Sequence, residues 1–143
     1  MANLNYGYKK GERVPVLVPI DSSTTAIAVG DFLTIATAGY YKKASAGNVV
    51  YGVAMQQLDT AEIPGSDGGV KLLADVSRQS QYWYPVGTGT LTVAMRGKTC
   101  DSGGAQALDV TASTNDDIEI IETDTTNNAA LVRLLIPSLG GVV

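Results

Sequence analysis

Apolar residues along this chain come in short runs, separated by clusters of glycine, asparagine, aspartate and serine. The run VPVLVPI (14–20) alternates, but Pro15 and Pro19 cannot donate to a ladder, so it predicts an edge strand or irregular chain. TAIAV (25–29) and DFLTIA (31–36) flank a turn at Gly30-Asp31, and GYYKKA (39–44) and VVYGVAM (49–55) follow further glycine turns. Residues 56–69, QQLDTAEIPGSDGG, are polar and turn-forming, which predicts a long loop with at most one helical turn at its start. GVKLLADV (69–76) and SQYWYPV (80–86) resume strand character, and TGTLTVAMR (88–96) alternates threonine with apolar residues as a half-buried antiparallel strand does. TCDSGGAQA (99–107) reads as a turn-rich connection. ALDVTA (107–112), DIEIIET (117–123) and AALVRLLI (129–136) are the last predicted strands. Only ALVRLLI has helical propensity, and it is short and uncapped.

About ten short strands with regular turn signals predict an all-β fold, a small barrel or sandwich. Residues 1–13, MANLNYGYKKGER, have neither period, which predicts an extended N-terminal arm ahead of one domain at 14–143. Gly52 interrupts the apolar run 49–55. Glycine weakens a strand interior, so this one is expected where the strand bends at a barrel corner or another chain segment lies close.

Composition narrows the function. The chain has 143 residues, one cysteine and no histidine, with 17% charged residues and a net charge of −4. Without histidine the usual general base and the commonest metal ligand are missing. A single cysteine, Cys100, excludes an intrachain disulfide framework and a cysteine-based zinc site. The acidic balance argues against nucleic acid as a partner, and the apolar runs are too short to span a membrane. No cofactor or metal is expected, and no export signal is read at the N-terminus. Surface area that is not charged is here filled by Thr, Ser, Asn, Gln and Gly, which suits packing against partners.

The sites that could carry chemistry are few. DSG at 101–103 matches the turn of a dimeric aspartic protease, with Asp101 as the catalytic carboxylate. Its flank, KTC, is not an apolar strand end, and Gly104 makes CDSGGA an ordinary turn. VGTGT (86–90) lacks the Lys-Ser/Thr of a phosphate loop, and PGSDGG (64–69) matches no calcium loop. The late acidic residues Asp109, Asp116, Asp117, Glu119, Glu122 and Asp124 are read as a solvated strand face, with an acidic rim for a basic partner as the second reading. In QYWYP, Tyr82 and Tyr84 share one face and Trp83 takes the other. One face is core and the other a covered end, an interface anchor or a sugar platform. Lys9, Lys10 and Arg13 form the one basic cluster.

At GDFLTI…GYYKKASAGNVVYGVAMQ the chain resembles the capsid decoration, or cement, proteins of tailed bacteriophages. Gly30-Asp31 opens a strand, Tyr40-Tyr41-Lys42-Lys43-Ala44 follows, and Val50-Tyr51-Gly52-Val53-Ala54 closes the unit. The resemblance covers about the first two-thirds of the chain; residues 101–124 do not share in it. It implies a β-barrel or β-tulip-like domain with an extended arm, acting as a structural protein rather than an enzyme. It further implies a homotrimer bound to the major capsid protein on the outer face of the virion, made in the host cytoplasm. On that reading the arm residues Asn3, Tyr6, Tyr8, Lys9, Lys10 and Arg13 contact the capsid, and Tyr82, Trp83 and Tyr84 pack between subunits. The alternatives are another virion β domain of tail or fibre, a protease built on Asp101, and a carbohydrate-binding module built on Trp83.

Overall fold

The structure, a computed structural model, describes residues 7–136. These residues form eleven strands and two single 3-10 turns, so the all-β expectation holds. The strands are β1 (Gly7–Lys10), β2 (Pro15–Pro19), β3 (Phe32–Ile35), β4 (Tyr41–Lys43), β5 (Gly52–Ala54), β6 (Lys71–Asp75), β7 (Gln81–Thr88), β8 (Thr99–Gly104), β9 (Ala107–Asp109), β10 (Ile118–Asp124) and β11 (Ala129–Leu134).

They make two sheets. The six-stranded sheet runs β1-β7-β11-β10-β8-β9, and β9 returns to pair in parallel with β7, so five of its strands close a ring. The first half of β7 pairs with β1 and its second half with β9. The five-stranded sheet runs β2-β6-β5-β3-β4. It is drawn round at one end, where the Asp21 N–H donates to the Tyr41 carbonyl at 2.8 Å.

The alternation of side chains along β3 and β5 explains why their sequences are almost continuously apolar. Phe32 and Val53 enter one core, with Tyr82, Tyr84, Leu108, Ile118, Ile120 and Val132 of the six-stranded sheet. Their neighbours Leu33 and Ala54 enter a second core, with Val18, Ile20, Ile27, Tyr41 and Leu72. Both faces of these strands are thus buried, and the apolar runs follow from that. The second core is the lining of the five-stranded sheet; the first joins the two sheets.

The proline-bearing segment is an edge strand, as its sequence predicts. Val14 accepts from the Val76 N–H and Ile20 donates to Val70, so the even-numbered residues face β6. Pro15, Leu17 and Pro19 therefore point their nitrogens at the open edge, where only Leu17 has a proton to offer a stray strand.

Other segments depart from expectation. Residues 25–29 make a single bridge, Ile27 to Leu58, rather than a strand. The alternating segment 88–96 is mostly not a strand either. The chain leaves β7 at Gly89, which has φ +91° and leaves no room for a Cβ beside Thr111 Cγ2 at 2.6 Å. The Leu91 N–H is then taken by the Asn128 side chain at 2.9 Å, and Val93–Met95 forms a 3-10 turn. Conversely, residues 99–104, expected as a turn, are strand β8. The small residues there serve close pairing: a Cβ on Gly103 would lie 2.8 Å from the Leu108 carbonyl group.

Gly52 sits in β5 with one neighbouring strand close. A Cβ there would lie 3.3 Å from the Asp75 carbonyl oxygen and 3.4 Å from Val76 Cγ1. The close neighbour is β6 and its exit, within the same chain. Gly52→Ala, whose Cβ would press on that backbone oxygen, is expected to cost less than Gly52→Val. Gly52→Val, which adds two methyl groups to filled space, is expected to cost about 1–3 kcal/mol. Urea denaturation midpoints of the two variants measure this, and equal midpoints would refute it.

Candidate functional site

The region expected to form an arm is, from Gly7 onward, part of the domain. β1 pairs antiparallel with β7, Gly7 opposite Trp83 and Tyr8 opposite Tyr82. Asn3 and Tyr6 lie outside the described residues. Gly11 lies flat on the β6–β7 connection at φ +100°, and a Cβ there would fall 1.9 Å from the Gln79 carbonyl oxygen. The Glu12 carbonyl accepts from the Ser77 hydroxyl and, at 3.3 Å, from the Ser80 hydroxyl. The Tyr8 hydroxyl donates back to the Gly11 carbonyl.

Arg13 is engaged within this arrangement while its side chain stays exposed. Its guanidinium lies 3.7 Å over the Tyr8 ring, and its Nε is 4.0 Å from Asp75 Oδ2. Tyr8 in turn meets Tyr82 edge to face, ring centroids 5.7 Å apart. Asp75, 1% exposed, is the common partner. Its Oδ1 accepts the N–H groups of Val14 (3.0 Å) and Ser77 (3.1 Å), and its Oδ2 accepts the Tyr82 hydroxyl at 2.5 Å. Lys9 and Lys10 are exposed on the edge strand β1, and Arg13 is exposed too.

The aromatic triplet divides as alternation requires. Tyr82 and Tyr84 are 4% and 1% exposed and belong to the core, which corrects their assignment to a subunit interface. The Tyr84 hydroxyl donates to the Gly30 carbonyl at 2.6 Å, and its ring lies 4.3 Å from that of Phe32, so it ties the two sheets together. Burial raises the pKa of both tyrosines, and the Asp75 carboxylate raises that of Tyr82 further. Both hydroxyls therefore stay protonated donors. Trp83, on the opposite face, is half-buried and is the one member of the triplet a partner can reach. Between Tyr8, Arg13, Tyr82 and Tyr84 on one side and Val29, Gly30 and Met55 on the other lies a cleft of about 250 Å³.

Asp101, the carboxylate of the DSG motif, is 4% exposed and holds a loop. Its two oxygens accept the N–H groups of Thr114 (3.1 Å) and Asn115 (3.0 Å). That is a loop anchor, with both oxygens taken by backbone donors. Ser102 donates to the Asn48 carbonyl at 3.0 Å, and the Asn115 amide to the Gly47 carbonyl at 2.9 Å. The loop 45–50 of one sheet is thereby fastened to β8 and the loop 112–117 of the other.

The late acidic residues do not form one solvated face. Glu119 pairs with Arg133 across the ladder at 2.6 Å, and a bulge between Ile120 and Glu122 breaks the alternation. Asp117, placed on the solvated face by sequence, is fully buried. Its Oδ2 accepts the Val50 N–H at 2.7 Å, while its Oδ1 has no partner. Burial, above all, raises its pKa to about 6. Its contribution to stability is full below the ordinary aspartate range and is lost as pH rises through about 6.

Among the described residues no three His, Cys, Asp or Glu side chains are placed to hold a metal ion, and no helix is long and apolar enough to cross a membrane. Comparison with protein-family models, with curated proteins and with solved structures finds no match.

The residues that organise this region include Asp75, which the sequence reading does not single out, and Asp31, which it reads only as part of a turn. Asp75 ends the apolar run KLLAD, and a lone acid in such a run is the visible signal. Asp31, 2% exposed, holds the Ala28 N–H at 2.8 Å, the Gln106 amide at 2.8 Å and Lys43 at 3.5 Å. It thus joins the Gly30-Asp31 turn to the β8–β9 turn. The motif Gly-Asp showed a turn, but the partner at Gln106 is remote in sequence.

Proposed function

We propose that this chain is a structural virion protein that binds the outer surface of a phage capsid and stabilises the shell. The observation that carries the reading is the state of Lys9 and Lys10. They stand exposed on an edge strand whose anchoring groups, Tyr8, Gly11 and Arg13, are all engaged within the domain. Two cations on a fixed strand, on a chain of net charge −4, are a local exception suited to docking on an acidic or carbonyl-rich surface. Support also comes from the residues that carry the resemblance: Gly30-Asp31 leads into β3, Tyr40–Ala44 spans β4 and Val50–Ala54 runs into β5, three adjacent strands of one sheet.

The mechanism is mass action. A protein that binds the mature shell and not its dissociated parts stabilises the shell by its binding free energy. Capsid contact is assigned to Lys9 and Lys10, with Asn3 and Tyr6 preceding them, and Trp83 is the triplet residue left to pack between subunits of a trimer. Co-sedimentation with expanded phage heads tests the reading, with sedimentation of the protein alone reporting its oligomeric state. The charge-reversed pair Lys9→Glu, Lys10→Glu is expected to lose at least tenfold in affinity at low salt while keeping its melting temperature. Unchanged binding would remove the two lysines from the interface. Failure of the unaltered protein to sediment with any heads would remove the capsid itself.

A further inference from the structure

Asp117 is an expensive group to bury. It is fully enclosed, one carboxyl oxygen accepts the Val50 N–H, the other has no hydrogen-bond partner, and the one further group that favours its charge is Asp117's own backbone N–H. It lies where the 45–50 loop of the five-stranded sheet meets the start of β10. Each element packed there adds to its isolation. The 45–50 loop offers the Val50 N–H, and the segment after β11 engages only Asp117's own carbonyl, through the Leu135 N–H at 2.9 Å. β8 presents the Cys100 thiol and the Asp101 carboxylate, and the neighbouring loop residue is Asp116. The charged groups acting on Asp117 are therefore both acids.

We propose that the Asp117 carboxyl is a proton-operated latch between the 45–50 loop and the start of β10, closed when neutral and loosened when ionised. As a neutral acid it keeps the Val50 N–H on one oxygen and carries no charge beside Asp101 and Asp116. As a carboxylate it leaves a charged oxygen without a donor, and opening of the loop lets water reach it. The fastenings that open with it are Asn115 to Gly47, Gly47 N–H to the Ser102 carbonyl at 2.9 Å, the Ser102 hydroxyl to the Asn48 and Ser45 carbonyls, and the packing of Val50 in the core. Enclosure shifts the proton's release to about pH 6, so the change falls within a range a protein meets.

The test is amide exchange in the full-length protein, expressed as protection factors so that the chemical pH dependence cancels. Protection at Gly47 and Val50 is expected to fall at least tenfold between pH 4.5 and 7.5, while β11 amides hold steady. Asp117→Asn, nearly isosteric, should abolish that dependence. The exposed variant Asp116→Asn should move its midpoint down, because a like charge is removed. Flat protection factors in the unaltered protein, or the same slope in Asp117→Asn, would overturn the latch. Carbon NMR of the Asp117 carboxyl in the unaltered protein decides independently of any variant's folding. A midpoint near 6 supports the latch, and one in the ordinary aspartate range refutes it.

Discussion

Replacing Asp75 by alanine is expected to lower the stability of the domain by about 3–5 kcal/mol, the largest effect of any single side chain outside the apolar core. The change leaves the Tyr82 hydroxyl and the Val14 and Ser77 N–H groups without their acceptor, and leaves Arg13 without its counter-charge. Each unsatisfied buried donor costs about 1–3 kcal/mol, so even partial rescue by water leaves a large loss. Asp75→Asn should cost clearly less, because one amide oxygen still accepts. Tyr82→Phe should cost about 1 kcal/mol and remove only one bond of the set. Chemical denaturation of the three variants gives the order. An alanine variant within 1 kcal/mol of the parent would show that the node does not hold the sheets to the N-terminal segment.

Gly11→Ala is expected to release residues 7–13 from β7 while both sheets stay folded. No side chain fits at that position, since its Cβ would overlap the Gln79 carbonyl oxygen, and the positive φ disfavours any other residue as well. The chain can escape the clash only by lifting off. With it go the Tyr8–Tyr82 contact, the Arg13 stack and the Glu12 carbonyl's two hydroxyl partners. Trypsin should then cut after Lys9, Lys10 and Arg13 at least tenfold faster than in the parent, with the melting temperature lowered by only a few degrees. Unchanged proteolysis would mean that the segment is held by pairing alone. The same variant bears on capsid binding, because it keeps both lysines but removes the scaffold that fixes them.

How far the sequence could be read depended on whether a feature is local. The edge position of residues 15–19 was legible because proline's missing proton is a property of the residue itself. The burial of 49–55 was legible as an apolar run, whereas that of 31–36, broken by Asp31 and Thr34, was not. Residues 88–96 were misread because alternation signals a half-buried surface and says nothing of whether a partner strand is available. Asn128, remote in sequence, takes the Leu91 N–H and diverts the chain. Residues 99–104 differ in the opposite sense: Ser-Gly-Gly signals a turn locally, but its small side chains admit β9 at close range. In the candidate site, the exposure of Lys9 and Lys10 followed from their type. The binding of Arg13 to Asp75 and the burial of Asp117 did not. Both depend on pairings across tens of residues, and a one-residue error of face at the start of β10 was enough to place Asp117 in solvent.

The pairing of β1 and β2 also bears on the order of events during synthesis. Their partners, β7 and β6, are translated roughly fifty to seventy-five residues later, a wait of several seconds at ordinary elongation rates. Through that interval two extended segments stand on the nascent chain with nothing to pair with. Pro15 and Pro19 on one of them, and Lys9 and Lys10 on the other, are features that discourage capture by a foreign strand. What reads in the finished molecule as an edge is, on the ribosome, a guard against premature company.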